Sequence, residues 1–203
     1  MIRNIIFDLG NVLVVYNPSK IVKRYFEEPE LQALMARVIF HSQAWRKLDQ
    51  GLITYDDHYR KIVSDFPQHA EKIKNLMDNW DRETYIVKGV VPIVEALHKA
   101  GYALYILSNA HQRYLERQKH LAFFRYFKGI TLSSEVHQLK PELKIYQEFC
   151  MIHNLIPDEC LFIDDQLENV KGAREAGWIA HQFRDAMELK NYLNQTLPIN
   201  EFD

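Results

Sequence analysis

The sequence predicts an α/β protein: a doubly wound parallel sheet core carrying an inserted α-helical domain. Three observations carry that reading. Short unbroken apolar runs end abruptly at polar residues, as buried parallel strands do. Helical patterns lie between those runs. Between residues 17 and 84 the runs disappear, and apolar residues recur at three- and four-residue spacing instead.

Ile5-Ile6-Phe7 forms the first expected strand, closed by Asp8. In the insertion, Ile21, Tyr25 and Phe26, then Leu31, Leu34, Met35, Val38 and Ile39, mark amphipathic helices. Further helices are expected over Gln43–Asp49, over Tyr55–Asp65 behind the N-cap residue Thr54, and over His69–Trp80 after Pro67. Residues 1–16 and 85–203 then form the core and 17–84 the insertion. Later core strands are expected at Tyr102–Leu107, Ile130–Leu132 and Cys160–Ile163, with helices at Val91–Ala100, Glu142–Asn154 and Leu167–Ala176. Gly101 and Gly177 follow two of those helices, where a C-cap favours glycine. The cluster Phe123, Phe124, Tyr126 and Phe127 reads as core or as a surface for a partner helix.

Composition narrows the class. With 203 residues, 47% hydrophobic, 26% charged and 12% aromatic, the chain is globular, which excludes disorder and collagen-like architecture. Its 25 basic and 27 acidic residues leave a net charge of -2, which supplies no broad electrostatic footprint for nucleic acid. No apolar stretch reaches the length of a membrane span, and no signal peptide is expected. Cys150 and Cys160 read as buried apolar side chains in a reducing cytoplasm, not as a disulfide framework. The expectation is a soluble, unprocessed, cytoplasmic protein, monomer or homodimer.

In an open parallel sheet the crevice lies beyond the carboxyl ends of the strands, so the polar residues that end the apolar runs converge there. Those residues are Asp8, Ser108 and the pair Asp164-Asp165; Lys140 joins them from a loop-to-helix junction, held out of the αR region by Pro141. Carboxylates about 4 Å apart repel by several kcal/mol at an effective dielectric near 20, so the cluster needs more positive charge than one lysine brings. Oxygen ligands with room for water suit Mg²⁺.

DLGNVL at 8–13, LSN at 107–109, KPELKIY at 140–146 and FIDDQLENV at 162–170 resemble, in order and approximate spacing, the four motifs of the haloacid dehalogenase superfamily of phosphatases. The resemblance spans the core, implies a Rossmann-like sheet, and makes the insertion similar to that superfamily's α-helical cap domain. Within the superfamily the first motif is similar to that of small sugar phosphatases, including α-glucose-1-phosphatase-like proteins. The resemblance makes Asp8 the nucleophile that accepts the phosphoryl group as an aspartyl phosphate. It places Ser108 and Asn109 on the substrate and gives Lys140 the role of neutralising phosphoryl charge and keeping Asp8 ionised. Asp8, the backbone carbonyl of Gly10, Asp164 and Asp165 become the Mg²⁺ site, with Asp164 bound directly or through water. Asn169, one helical turn beyond Asp165, is placed to orient it.

Gly10 departs from the family pattern. Most phosphatases of the superfamily carry a second Asp two positions after the nucleophile, acting as acid on the leaving oxygen and then as base on water. Gly10 keeps a carbonyl for the metal, but it has no side chain for a proton transfer usually worth about 10² to 10⁴ in rate. A cap residue, a bound water or an undemanding leaving group must compensate, and an anomeric sugar 1-phosphate is such a leaving group. His41, Trp45, Asp56, Asp57 and His58 are the cap candidates. His69, His98, His111, His120, His137, His153 and His181 show no zinc spacing, and no chemistry is expected of them. The expected activity is Mg²⁺-dependent hydrolysis of a small phosphorylated metabolite, a sugar phosphate with the 1-phosphate favoured. The alternatives are a phosphometabolite-binding protein without turnover and a metal-independent hydrolytic dehalogenase. The acidic pair argues against the dehalogenase.

Overall fold

A computed structural model describes residues 1–83 and 85–198. Thr84 and residues 199–203, which fall within the expected domain ranges, lie outside the described residues. Five parallel strands form one sheet in the order β3-β2-β1-β4-β5: β1 (Asn4–Phe7), β2 (Ala103–Ser108), β3 (Phe127–Leu132), β4 (Cys160–Asp164) and β5 (Ile179–Gln182). Phe7 is in register with Ile106 on β2 and Ile163 on β4, which brings Asp8, Leu107 and Asp164 level at the carboxyl edge. The order reverses direction at β1, and that switch point is where a doubly wound sheet opens its crevice.

Both faces of the sheet are covered, which is why its central strands read as unbroken apolar runs. Ile5, Phe7, Leu104, Ile106, Leu161 and Ile163 point into one core, shared with α6 (Val90–Lys99) and α11 (Ala186–Thr196). Ile6, Tyr105, Leu107 and Phe162 point into the other, against α9 (Leu143–His153) and α10 (Leu167–Glu175). Cys150 and Cys160 are free, buried thiols in that second core. Phe123 is buried in the first core with Phe124, Tyr126 and Phe127 packed against it, so the aromatic cluster is core.

The insertion is helical: α1 (Pro18–Val22), α2 (Pro29–Phe40), α3 (Gln43–Asp49), α4 (Tyr55–Asp65) and α5 (Ala70–Asn79), with 3₁₀ turns at Pro67–His69 and Trp80–Glu83. Thr54 caps α4 in a reciprocal capping box with Asp57. Its two connections to the core run side by side, Val15 N–H bonding Tyr85 O at 2.7 Å and Val87 N–H bonding Leu13 O at 3.0 Å.

Several elements differ from expectation. β5 has no counterpart among the expected strands, because an edge strand reading Ile-Ala-His-Gln has no apolar run to show. β3 starts three residues earlier than the apolar text, since Lys128 and Gly129 interrupt it. The short helices α7 (Gln112–Gln118) and α8 (Ser133–Val136), and α11, were also absent from the sequence reading. Among the described residues no helix is long and apolar enough to cross a membrane.

Candidate active site

The carboxyl edge of the sheet gathers the residues that end the strands. Asp8 follows β1, with its N–H bonded to Ile163 O at 2.8 Å, and only 7% of the residue is exposed. Lys140 is buried, and its Nζ donates to Leu107 O at 3.0 Å and to Asp164 Oδ2 at 2.6 Å. The same ammonium lies 2.8 Å from Asp8 Oδ1. Asn109 holds the Lys140 backbone from both sides, accepting from its N–H at 2.9 Å and donating to its carbonyl at 3.0 Å. Ser108, buried at the end of β2, lines the cavity above this cluster.

Asp164 is fully buried and also accepts from Gln166 N–H at 2.8 Å and from Asn169 Nδ2 at 3.0 Å on each oxygen. Asn169 therefore orients Asp164 and not Asp165, a correction to the sequence reading. The cause is β4 ending at Asp164, which leaves that side chain beneath α10 and turns Asp165 outward to accept from Gln166 Nε2 at 2.7 Å.

Asp8, Asp164 and Asp165 each offer an oxygen, all within 4.8 Å of one another. One buried ammonium faces three carboxylates. Burial pushes the Asp8 carboxyl up to about 7 against the pull of Lys140, and burial together with Asp164 raises Asp165. For Lys140, burial acts downward, but Asp164 and Asp8 outweigh it and hold the ammonium above its ordinary value. The excess negative charge and the hard oxygen donors fit a divalent cation of the Mg²⁺ class.

A cavity of about 390 Å³ opens over the cluster, lined by Gly10, Tyr16, Trp45, Asp49, Trp80, Ser108, Asn109, Ala110, His111 and Tyr114. Trp80 stacks on Tyr114 at 5.3 Å, and Trp45 meets Trp80 at 5.6 Å and His111 at 5.5 Å, edge to face. A wider cavity of about 670 Å³ adjoins it past His41, Trp45, Arg46, Asp49, Asn109 and Lys140.

Of the expected cap candidates, Trp45 lines both cavities and His41 the outer one. Asp56 is exposed and paired with Arg60, and Asp57 is committed to capping α4. His58 is buried, with Nε2 bonded to Ile39 O at 2.9 Å. The sequence reading missed Tyr16, Asp49, Trp80, His111 and Tyr114. Asp49 was legible in principle, since it sits one turn beyond Trp45 on the same helix face. His111, of which the sequence predicts no chemistry, is buried in the cavity wall, and among the described residues neither ring nitrogen has a hydrogen-bond partner.

The end of α3 is docked on the core. Ser133 Oγ donates to Asp49 O at 2.5 Å and accepts from Ala110 N–H at 3.0 Å. Gln50 Nε2 donates to His137 O at 3.0 Å. On the other flank Arg117 bonds Asp81 Oδ1 and Asp78 O, each at 2.6 Å, and Arg113 lies 4.2 Å over the Tyr55 ring.

Residues 2–177 match the family model of the haloacid dehalogenase-like hydrolases. The chain is similar to a D-ribitol-5-phosphate phosphatase of Bacteroides thetaiotaomicron, 24% identical and covering 97% of this chain and 99% of that one. It is also similar to a sesquiterpene phosphatase of Aspergillus oryzae, 26% identical over 90% of each. In fold it resembles a family enzyme from B. thetaiotaomicron in complex with magnesium and inorganic phosphate, with a TM-score of 0.74, 22% identity and coverage of 91% and 96%.

Proposed function

The chain belongs to the haloacid dehalogenase-like hydrolases, and we propose that it is a Mg²⁺-dependent phosphatase of a small phosphorylated metabolite, a sugar phosphate. The observation that carries this reading is the convergence of Asp8, Lys140, Asp164 and Asp165 at the carboxyl edge of the sheet, next to the cavity lined by Gly10 and Ser108. Asp8 attacks phosphorus and takes the phosphoryl group as an aspartyl phosphate, which splits one displacement into two. Lys140 offsets charge on Asp8 and on the incoming phosphoryl oxygens. Ser108 and Asn109 meet those oxygens from the end of β2. Asp8, the Gly10 carbonyl, Asp164 and Asp165 are the groups that would hold Mg²⁺. That ion, when bound, supplies Lewis-acid stabilisation of the phosphoryl oxygens.

The cavity supports a compact leaving group. Only about 70 Å³ within it is open to the centre of a water-sized molecule, which favours a small leaving group. Aromatic walls stack on the apolar faces of a sugar, and the buried Tyr16 hydroxyl and His111 nitrogens, unpartnered among the described residues, offer partners to hydroxyl groups. The ribitol-phosphate activity of a relative points the same way. The narrower preference for an anomeric 1-phosphate holds only if no group protonates the departing oxygen. Two free cysteines suit a reducing cytoplasm, where such metabolites occur.

The test is a panel of phosphorylated metabolites, with and without Mg²⁺, on the parent protein and Asp8→Asn. Phosphate release that needs Mg²⁺ and falls at least about 10³-fold in a folded Asp8→Asn is expected. Turnover within tenfold of the parent in that variant would overturn the nucleophile, and metal-independent release of halide from a haloacid would favour the dehalogenase. Binding without release would leave a phosphometabolite-binding protein. Preference for a short prenyl phosphate would keep the phosphatase and replace the sugar.

A further inference from the structure

Resting on the phosphatase reading, we propose that Asp49, carried by the cap, is the general acid and base whose side chain Gly10 lacks. Three independent features converge on it.

The first is position. Asp49 lines the inner cavity with Gly10 and Ser108 and the outer cavity with Lys140 and Asn109, so it stands at the junction above the cluster. It is the one carboxyl among the described residues lining either cavity. The second is anchorage. Its carbonyl accepts from Ser133, which also receives the Ala110 N–H two residues beyond Ser108, so the end of α3 is fixed to the strand end that presents the phosphoryl-binding hydroxyl. Gly51 sits against the core with φ +71°, where an added Cβ would fall 2.4 Å from Ser134 O.

The third is charge state. Asp49 as a whole is half-buried, but it lines both cavities, and burial pushes its carboxyl well above the ordinary carboxylate range, opposed only by a hydrogen bond from Trp45. The cations nearby are otherwise engaged: Arg46 reaches Glu142 at 3.4 Å, and Lys140 is held by Leu107 O, Asp164 and Asp8. Asp49 is thus poised to enter the reaction protonated. Its competitors cannot both give and take a proton near neutral pH. Burial holds His111 neutral, with its pKa lowered to about 3, and burial raises the Tyr16 phenol well above its ordinary value.

The proton balance closes over two steps. As the Asp8 oxygen bonds phosphorus, the bond from phosphorus to the leaving oxygen breaks, and that oxygen takes the Asp49 proton to depart as an alcohol. The Asp49 carboxylate then takes a proton from water as the water oxygen attacks the aspartyl phosphate. Inorganic phosphate leaves, Asp8 is freed as a carboxylate, and Asp49 is protonated again. With an acid present, anomeric phosphates lose their special advantage and primary alkyl phosphates become substrates. The acid resides on the cap, so chemistry requires the cap to be docked.

The experiment is single-turnover phosphoenzyme formation at saturating Mg²⁺, from dinitrophenyl, nitrophenyl and primary alkyl sugar phosphates, for the parent, Asp49→Asn and Asp49→Glu. The parent should depend weakly on leaving-group pKa. Asp49→Asn should lose about 10²- to 10⁴-fold on the alkyl phosphate and no more than a few-fold on dinitrophenyl phosphate, with Asp49→Glu recovering part of the difference. A second readout needs no turnover: infrared difference spectra at neutral pH should show a protonated-carboxyl band in the parent that Asp49→Asn removes. Equal losses on all substrates, no loss on the alkyl phosphate, or absence of that band overturns the proposal. A parent active on none of the phosphates overturns the phosphatase reading and this proposal with it, whereas an active parent with uniform losses overturns this proposal alone.

Discussion

The ammonium of Lys140 lies 2.8 Å from Oδ1 of Asp8, yet that oxygen accepts no well-aligned hydrogen bond among the described residues. The aligned bonds of Lys140 go to Leu107 O and Asp164 Oδ2. The ammonium thus brings positive charge to the nucleophile at close range, which opposes the effect of burial on a carboxylate that must attack phosphorus.

Removing that ammonium should damage both stability and chemistry. Lys140→Ala leaves Asp8 and Asp164 buried without their cation, a loss of about 3 to 5 kcal/mol for a broken buried pair. Urea unfolding should register that loss, and phosphoenzyme formation should stay impaired at saturating Mg²⁺. Full recovery of the transfer rate in excess Mg²⁺ would show that Lys140 serves only to balance charge.

Asp165→Asn should act differently, because Asp165 is the most exposed of the three carboxylates and contacts neither Lys140 nor Asn169. Its apparent Mg²⁺ affinity should fall by at least the 10- to 100-fold that loss of an outer-shell partner costs, with kcat largely restored at high Mg²⁺. A Mg²⁺ titration of phosphate release, parent against variant, measures this directly.

Much of this site was legible in the sequence because it sits on main-chain features that sequence patterns report. Asp8 and Asp164 end buried strands, and the register that levels them follows from runs of similar length around β1. The cavity walls were less visible. Tyr16 lies in the loop after β1, Asp49 on a cap helix, and His111 and Tyr114 beyond β2; they meet only through the docking of the cap, a tertiary event that no local period encodes. Asn169 was assigned the wrong partner for a similar reason, since spacing along a helix cannot say which of two adjacent carboxylates turns under it.

Gly51→Ala tests the docking itself. A side chain at φ +71° with its Cβ 2.4 Å from a backbone oxygen costs about 1 to 3 kcal/mol or forces the end of α3 away from Ser134. Thermal unfolding should shift down. If Asp49 is carried away with α3, activity on alkyl phosphates should fall more than activity on dinitrophenyl phosphate.

His111 should imprint a pH dependence on stability. Its pKa is lowered by burial to about 3 in the folded chain, against about 6.5 when unfolded, so between those values the unfolded state binds the extra proton. The contribution of His111 is therefore present above pH 6.5 and is lost as the pH falls. Each pH unit is worth about 1.4 kcal/mol, so lowering the pH from 7 to 5 should destabilise the parent by about 2 kcal/mol relative to His111→Phe. Groups shared by the two proteins cancel in that difference. Urea titrations at both pH values measure it, and a difference that does not change with pH would mean that folded His111 takes up the proton.

The last prediction concerns Gly10, where a positive φ would oppose any added side chain. The structure removes that objection: positive φ falls on the next residue, Asn11 at 56°, and a Cβ built at Gly10 meets nothing closer than Tyr16 Cβ at 3.9 Å. Gly10→Asp should therefore fold, and it places a carboxyl on the cavity wall where most of the family carries one. In the Asp49→Asn background, which should be slow on alkyl phosphates, Gly10→Asp should restore phosphoenzyme formation by about 10-fold or more, part of the 10² to 10⁴ that an acid contributes. In the parent background the same change should add little, because the proton is already supplied. Rescue in both backgrounds alike would show that Asp49 does not carry the proton. If the double variant folds but is not rescued, the missing function of Asp49 is positional, since a second acid in reach of the same oxygen does not replace it.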